Sequence, residues 1–278
     1  MSEAATQLKP DNTEQEVLYA VSDHVATITL NAPSRMNTIS TPMLNLLTKM
    51  LIDANQDPDV RVVILTGSGR AFCAGLDVAS TTDKKADGPG RLTSGQMPVN
   101  LDLRNTPPTV MHNMDKPTIC ALNGGAAGYG MDIALGCDIR IMSDASKLAA
   151  AFTKRGVVPE SGGTWILPRL IGWSKASEVI FSGRTLGPQE CVDMGLASRV
   201  VPAADLMTET NTLAANIAAN APLAVQSSKR MMRMGLNENF NDHVHHVFLQ
   251  LLPLMRTDDV REGMQAFMEK REPKFTGK

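Results

Sequence analysis

The stretch Asn123 to Arg140, NGGAAGYGMDIALGCDIR, constrains this chain more than any other. The apolar run before it, Pro117-Thr118-Ile119-Cys120-Ala121-Leu122, has the makings of a buried strand. After several glycines and alanines, a second apolar stretch resumes at helical spacing. The pattern predicts a strand, a glycine turn and a helix N-terminus. Such a turn aims unpaired backbone N–H groups and the positive end of a helix dipole at whatever sits above it, so it holds developing negative charge. Half of an anion-stabilising site is expected here.

Two further glycine turns have the same look. Arg61 to Thr66 is a β-branched, uninterrupted run, as in a strand covered on both faces, and it stops at Gly67-Ser68-Gly69 before the turn Ala71-Phe72-Cys73-Ala74-Gly75-Leu76-Asp77. A strand over 138–142 and a short apolar segment over 148–152 lead to the third turn, Val157 to Gly163. Upstream, Val25 to Leu30 alternates like a half-buried strand. Ser40-Thr41-Pro42 then opens an amphipathic helix carrying Met43, Leu46, Leu47, Met50, Leu51 and Ala54, which ends near Asp57-Pro58. From Ser174 onward helical periodicity runs over 174–182, 188–195, 203–219, 222–236, 238–252 and 257–271. The expected organisation is a polar, flexible tail over 1–16, a strand-and-turn core over 17–200 and a helical region over 201–278. Ser80 to Asn100, rich in Gly, Pro, Ser, Thr and Lys, has the length and composition of a lid, a binding loop or a disordered insert.

Several function classes lack their signatures. The formal net charge of the 278 residues is −2 and the basic residues are scattered, so neither a nucleic-acid stripe nor a membrane-surface patch is expected. The partners expected are small molecules or copies of the chain. No apolar run approaches the roughly 18 residues that span a bilayer. The N-terminus has neither a signal-peptide core nor an Arg-rich transit composition. Cys73, Cys120, Cys137 and Cys191 are far apart and read as reduced thiols, and the cytoplasm is the expected location.

The contexts that a dinucleotide site or a P-loop requires are missing. Glu160-Ser161-Gly162-Gly163 lacks the glycine two residues before a nucleophile-elbow serine, so Ser161 is read as a helix cap. His243, His245 and His246 fall on different helix faces and fit a solvated or oligomer-facing helix better than a metal site. Met231, Met232 and Met234 read as core packing.

What remains is three glycine turns and two carboxylates. Ala71 to Asp77, Lys116-Pro117 through Asn123-Gly124, Gly128-Tyr129-Gly130 and Cys137-Asp138-Ile139-Arg140 occur in the order seen in the enoyl-CoA hydratase/isomerase (crotonase) superfamily, which the chain resembles. The resemblance continues through Pro159-Glu160-Ser161-Gly162-Gly163-Thr164, Leu167-Pro168-Arg169 and Phe181-Ser182-Gly183 to Glu262-Gly263, Ala266-Phe267 and Glu269-Lys270-Arg271, about residues 20 to 275 in all. It implies an α/β fold, a ClpP-like spiral of repeated β-β-α units, with C-terminal helices that trimerise, often as a dimer of trimers. It also implies an acyl-CoA thioester as substrate, no metal, and no cofactor beyond the coenzyme A that the substrate carries.

The resemblance further implies an oxyanion hole made by the backbone N–H groups of Leu76 and Tyr129, with Ala74, Gly75, Asp77 and Gly128 around them. Physical chemistry agrees: an enolate oxygen needs donors fixed before the charge appears, each worth about 3–4 kcal/mol in a dry site. Tyr129 stands where the family often has Gly or Ala, so its ring is expected to narrow the acyl pocket. The two glutamates of the hydratase pattern map onto Asp132 and Phe152, so one acid is shortened and the other is gone. Hydration needs one group to position water and another to deliver a proton. Glu160 lies where certain enoyl-CoA and dienoyl-CoA isomerases carry their acid, and one carboxylate suffices to move a double bond through a dienolate.

The expectation is double-bond isomerisation with Glu160 as acid/base and Asp132 assisting. Hydration by Asp132 and Glu160 is the alternative. A non-catalytic CoA-binding or RNA-binding member, or a hydrolase, dehalogenase or decarboxylase on the same scaffold, also stays open. Without a catalytic role, Glu160 would be a carboxylate favouring a helix dipole, and Asp132 a salt-bridge partner of Arg140 or Arg155. Contacts to coenzyme A are carried over to Arg35, Phe267 and Lys270, and Lys84, Lys85 and Arg91 are charges able to meet phosphates.

Overall fold

The computed structural model describes residues 15–77 and 106–278. The 80–100 loop, with Lys84, Lys85 and Arg91, and all but the last two residues of the expected tail lie outside the described residues. Glu16, at the end of that tail, is anchored rather than loose: its carbonyl accepts the Asn31 N–H at 2.7 Å and its carboxylate pairs with Arg35 at 2.6 Å.

A six-stranded sheet runs in the order β1 (Val17–Ser22), β2 (Val25–Leu30), β3 (Val62–Gly67), β5 (Thr118–Leu122), β7 (Ile139–Ser143), β10 (Arg199–Val201). β1 and β2 are antiparallel and joined by Asp23 and His24, both left-handed at φ 49° and 66°, the two-residue turn that suits strand twist. The other neighbouring pairs are parallel. A second sheet pairs β4 (Ala71–Cys73), β6 (Gly125–Ala127) and β8 (Lys147–Ala149) in parallel, with β9 (Thr185–Leu186) antiparallel at its edge.

The chain therefore climbs in repeats. β3 then β4, β5 then β6, and β7 then β8 each place the first strand in the large sheet and the second in the small one. A helix follows each pair in the chain: α2 (Pro107–Asn113), α3 (Tyr129–Gly136) and α4 (Gly163–Ile171). This is the expected spiral of β-β-α units.

The β-branched run of β3 is buried on both faces, as its composition predicts. Val63 and Leu65 enter the main core beneath α1 (Thr41–Gln56), whose Met43, Leu47, Leu51 and Ala54 recur on one face and whose cap Ser40 accepts the Met43 N–H at 3.2 Å. Val62 and Ile64 join Ile119, Ala121 and Ile141 in a second cluster, covered by Leu206, Ala214 and Ala218 of α7 (Leu206–Ala218). Each fully buried side chain of this size contributes about 1.5–3 kcal/mol. Because α7 covers the large sheet, the core extends through Ala218, past the boundary expected at residue 200.

Five more helices complete the described chain: α5 (Trp173–Ser182), α6 (Pro188–Met194), α8 (Pro222–Gly235), α9 (Phe240–Leu254) and α10 (Asp258–Glu269). They match the helical periodicity closely. Met231 is core as expected, but Met232 is 75% exposed, because the buried face of α8 passes through Met231 and not its neighbour. α9 buries none of its residues, and Phe240, Phe248, Phe267 and Met268 are among the exposed apolar side chains of α9 and α10.

Candidate active site

β4 and β6 are adjacent parallel strands, so the turns that follow them leave the same edge of the small sheet side by side. After β4, Ile39 bridges Leu76: the Ile39 N–H donates to Gly75 O at 2.8 Å and the Asp77 N–H donates to Ile39 O at 2.9 Å. In a parallel bridge these bonds fall on the residues flanking Leu76, which turns its own N–H away from Ile39. Gly75, at φ 110°, makes the bend, and a Cβ built on it would lie 4.0 Å from the Tyr129 nitrogen. After β6, Gly128 hands over to α3, and Tyr129 supplies one of that helix's first N–H groups, which have no partner inside a helix. Neither the Leu76 nor the Tyr129 N–H donates to a described residue. Two donors from different units of the spiral thus come together at the positive end of α3.

Asp132 stands one helical turn after Tyr129 and is 1% exposed. Neither expected arginine reaches it. Arg140 spends its guanidinium on backbone carbonyls, and Arg155 donates to Ala151 O. Asp132 Oδ2 instead accepts the Ser161 N–H at 3.3 Å, and Oδ1 is buried without a hydrogen-bond partner. Only a glycine fits at position 163, because a Cβ there would lie 2.2 Å from Oδ1. Asp132 therefore braces the turn that opens α4, the anion-at-helix-N-terminus role that the sequence left open for Glu160. Ser161 does not cap α4: Gly162 occupies the cap position with no side-chain bond. Glu160 is exposed and makes no hydrogen bond or ion pair with a described residue, yet it lies close enough for its charge to act on Asp132 and Tyr129.

Burial, with the Glu160 charge adding to it, pushes the Asp132 carboxyl up to about 7, against the opposing Ser161 bond. The unfolded chain releases that proton near 3.8 and the folded chain near 7. The stability this confers is fully present below about pH 4 and is lost as pH rises through about 7. Asp132→Asn is expected to be more stable than the wild type at pH 8, on the order of 2 to 4 kcal/mol, with the gap closing towards pH 4. Urea unfolding of both proteins across that range checks it, and a gap that does not change with pH would show Asp132 to be ordinary.

The Enoyl-CoA hydratase/isomerase family model matches residues 20–278. The chain belongs to the enoyl-CoA hydratase/isomerase family. It is 36% identical over 266 residues to YngF of Bacillus subtilis, named as an enoyl-CoA hydratase/isomerase, which covers 94% of this chain and 98% of that protein. It is 34% identical over 264 residues to the 1,2-epoxyphenylacetyl-CoA isomerase of Escherichia coli, covering 94% and 98%. The crystal structure of an enoyl-CoA hydratase from Bacillus anthracis superposes with a TM-score of 0.85 at 32% identity, over 95% of this chain and all of that one.

Several expected site residues meet within this family scaffold. Tyr129, Asp132 and Glu160 lie close enough for their charges to act on one another, and the Ala74-Gly75-Leu76 turn approaches the Gly128-Tyr129 turn through Gly75. Phe152 is buried just beyond β8, and its carbonyl takes the Arg155 and Val157 N–H groups, so it anchors the loop leading to Glu160. Asp77 is held through its N–H to Ile39. Arg35 lies near these turns, but its guanidinium is engaged by Glu16, Thr38 O and Ser40. Phe267, 85% exposed, and Lys270, at the left-handed end of α10, stand apart from the turns.

A groove of about 880 Å³ also lies elsewhere. It runs from Leu135 and Gly136 at the far end of α3 to Lys229 and Arg233 of α8. Sequence reasoning missed the Ser161 N–H as the partner of Asp132, since a backbone donor leaves no residue-type signal.

Proposed function

We propose that this chain moves the carbon–carbon double bond of an enoyl-CoA. The N–H groups of Leu76 and Tyr129 hold the thioester enolate oxygen. Glu160 takes a proton at C2 and returns it at C4, or the reverse, and Asp132 assists by holding the Glu160 turn. One observation carries the reading: the exposed Glu160 carboxylate has no hydrogen-bond or ion-pair partner among the described residues and is close enough for its charge to act on Asp132 and the Tyr129 hydroxyl, while the second acid of a hydration pair is replaced by the buried Phe152. Such a carboxylate can swing between C2 and C4, and the two donors stabilise the negative charge that collects on the thioester oxygen of the dienolate.

A second reading has its own support. Asp132, whose carboxyl burial raises to about 7, lies close to the Glu160 carboxyl, and adding water across the double bond calls for two acid/base groups. Supplying 3-enoyl-CoA and following the conjugated thioester separates them. Isomerisation predicts accumulation of 2-enoyl-CoA. If 2-enoyl-CoA is instead consumed rapidly to a 3-hydroxyacyl-CoA, hydration is the activity.

The exposed apolar face of α9 and α10 supports assembly through the C-terminal helices. Three or six copies are expected by sedimentation, and a monomer at micromolar concentration would exclude that arrangement. Four buried free thiols, and the lack of any described helix long and apolar enough to cross a membrane, agree with the cytoplasm as the working location.

A further inference from the structure

The turn that carries Leu76 is held by more than its own sheet. β4 is three residues long, and its one neighbour among the described strands is β6, paired across a register shift between Ala71 and Cys73. So short and irregular a ladder fixes the turn after it only loosely. The second fixture is the segment after β2. The Met36 carbonyl accepts the Ala74 N–H at 3.0 Å, and the two backbone bonds of Ile39 fall on either side of Leu76. That segment is shaped by Asn37, whose side chain is fully buried. Its Oδ1 accepts the Ala32 N–H at 2.7 Å, and its Nδ2 donates to Ser68 O at 2.9 Å and Ala71 O at 2.8 Å. A Cβ at Gly67 would lie 2.9 Å from Nδ2, so the amide packs directly against the end of β3. One side chain thus grips the chain ahead of β4, while the backbone on either side of it grips the turn behind β4. Met36 and Asn37 are both left-handed, at φ 55° and 54°. Asparagine enters that region more readily than most residues, but methionine does so rarely, and such backbone persists where surrounding contacts hold it. Strain of this kind collects at functional sites, and here it lies on the residues that reach the Leu76 turn.

We infer that Asn37 is a positioning residue for the Leu76 N–H: its amide fixes the 36–39 segment, and that segment sets where the donor stands. This rests on the reading of the Leu76 N–H as an oxyanion donor and extends it to the residue that aims it. Among the described residues the Asn37 side chain bonds to Ala32, Ser68 and Ala71, so its effect passes through the backbone of Met36 and Ile39. A donor displaced by about 1 Å loses most of its hold on a developing oxyanion, while the rest of the thioester stays bound by its other contacts.

The test uses the full chain as Asn37→Ala and Asn37→Gly. The glycine removes the amide while favouring the left-handed backbone, which guards against a variant that simply fails to fold. Conversion of 3-enoyl-CoA to 2-enoyl-CoA gives kcat per folded molecule and KM. Infrared difference spectra of bound butanoyl-CoA, isotope-labelled at the thioester carbonyl carbon, report how strongly that carbonyl is polarised. In both variants kcat is expected to fall about 10²-fold with KM within about threefold of the wild type. The carbonyl band, lowered on binding to the wild type, should move back towards its value in the free thioester. A merely structural residue would lower the urea midpoint and leave both kcat per folded molecule and the band unchanged, and that result overturns the inference. Failure of both variants to fold overturns it too, since Asn37 would then brace the whole core and not this turn. If 3-enoyl-CoA is not turned over but the band responds as expected, the inference stands and the assigned reaction alone falls. If binding to the wild type does not lower the band, the reading of Leu76 as an oxyanion donor falls, and the inference with it.

Discussion

Glu160→Gln is expected to lower kcat for conversion of 3-enoyl-CoA to 2-enoyl-CoA about 10²- to 10⁴-fold, with KM changed only a few-fold. Gln keeps the shape of the side chain and its reach across the site but cannot accept a proton. Because Glu160 has no described hydrogen-bond or ion-pair partner, the change should leave the fold intact, and unfolding should match the wild type. Asp132→Asn makes the informative contrast. If Asp132 acts only by holding the Ser161 N–H, an asparagine oxygen can still accept that bond and most of kcat should survive. Should Asp132→Asn abolish turnover while Glu160→Gln remains within threefold of the wild type, the proton carrier is Asp132 and the proposed roles must be exchanged. Steady-state kinetics on the two variants decide between these outcomes.

Arg140→Ala is expected to cost about 3–5 kcal/mol of stability, the largest loss foreseen for a residue that touches no substrate. The Arg140 side chain is sealed in the core at 5% exposure, and burial lowers its affinity for its proton. It is kept there by a fan of carbonyls: Leu196 O, Cys137 O, Ala134 O at 3.3 Å, Leu135 O at 3.4 Å and Asp138 O at 3.3 Å. Several of these are the carbonyls that the C-terminal end of α3 leaves without intrahelical partners. Removing the guanidinium strands them in a dry site and leaves a cavity. Arg140→Lys should recover little, because an ammonium is a point donor that cannot cover the same fork of acceptors. Urea unfolding measures the loss, and a cost below about 1 kcal/mol would mean that water can substitute for the side chain.

The neighbouring motif residue is structural as well. Asp138 accepts the Thr118 N–H at 2.7 Å and hydroxyl at 2.9 Å and pairs with Lys229 at 2.7 Å, tying the start of β5 to α8. In Cys137-Asp138-Ile139-Arg140, Arg140 holds the C-terminal carbonyls of α3. The proposed chemistry lies at the other end of that helix.

Some features could be read from local pattern alone. The Ser40 cap, the face of α1 and the helices from α5 to α10 depend on contacts within a few residues, and those are written in the order of residue types. β1 and the three-residue strands β4, β6 and β8 escaped such reading. A strand of three residues has no measurable period, and β4, β6 and β8 exist because parallel neighbours supply their hydrogen bonds.

The same division runs through the site. By itself the sequence determined the three glycine turns, through hydrophobic period and turn chemistry, and the order of its motifs carried the resemblance to the enoyl-CoA hydratase/isomerase family that implied the spiral of β-β-α units. Tertiary structure alone decided that the turns carrying Leu76 and Tyr129 lie side by side, which depends on the pairing of β4 with β6. It also decided that Asp132 takes the Ser161 N–H rather than an arginine, and that burial raises its carboxyl to about 7 while Glu160 stays exposed. Such properties are set by which distant residues pack together and how much water they exclude, and no local pattern of residue types encodes that.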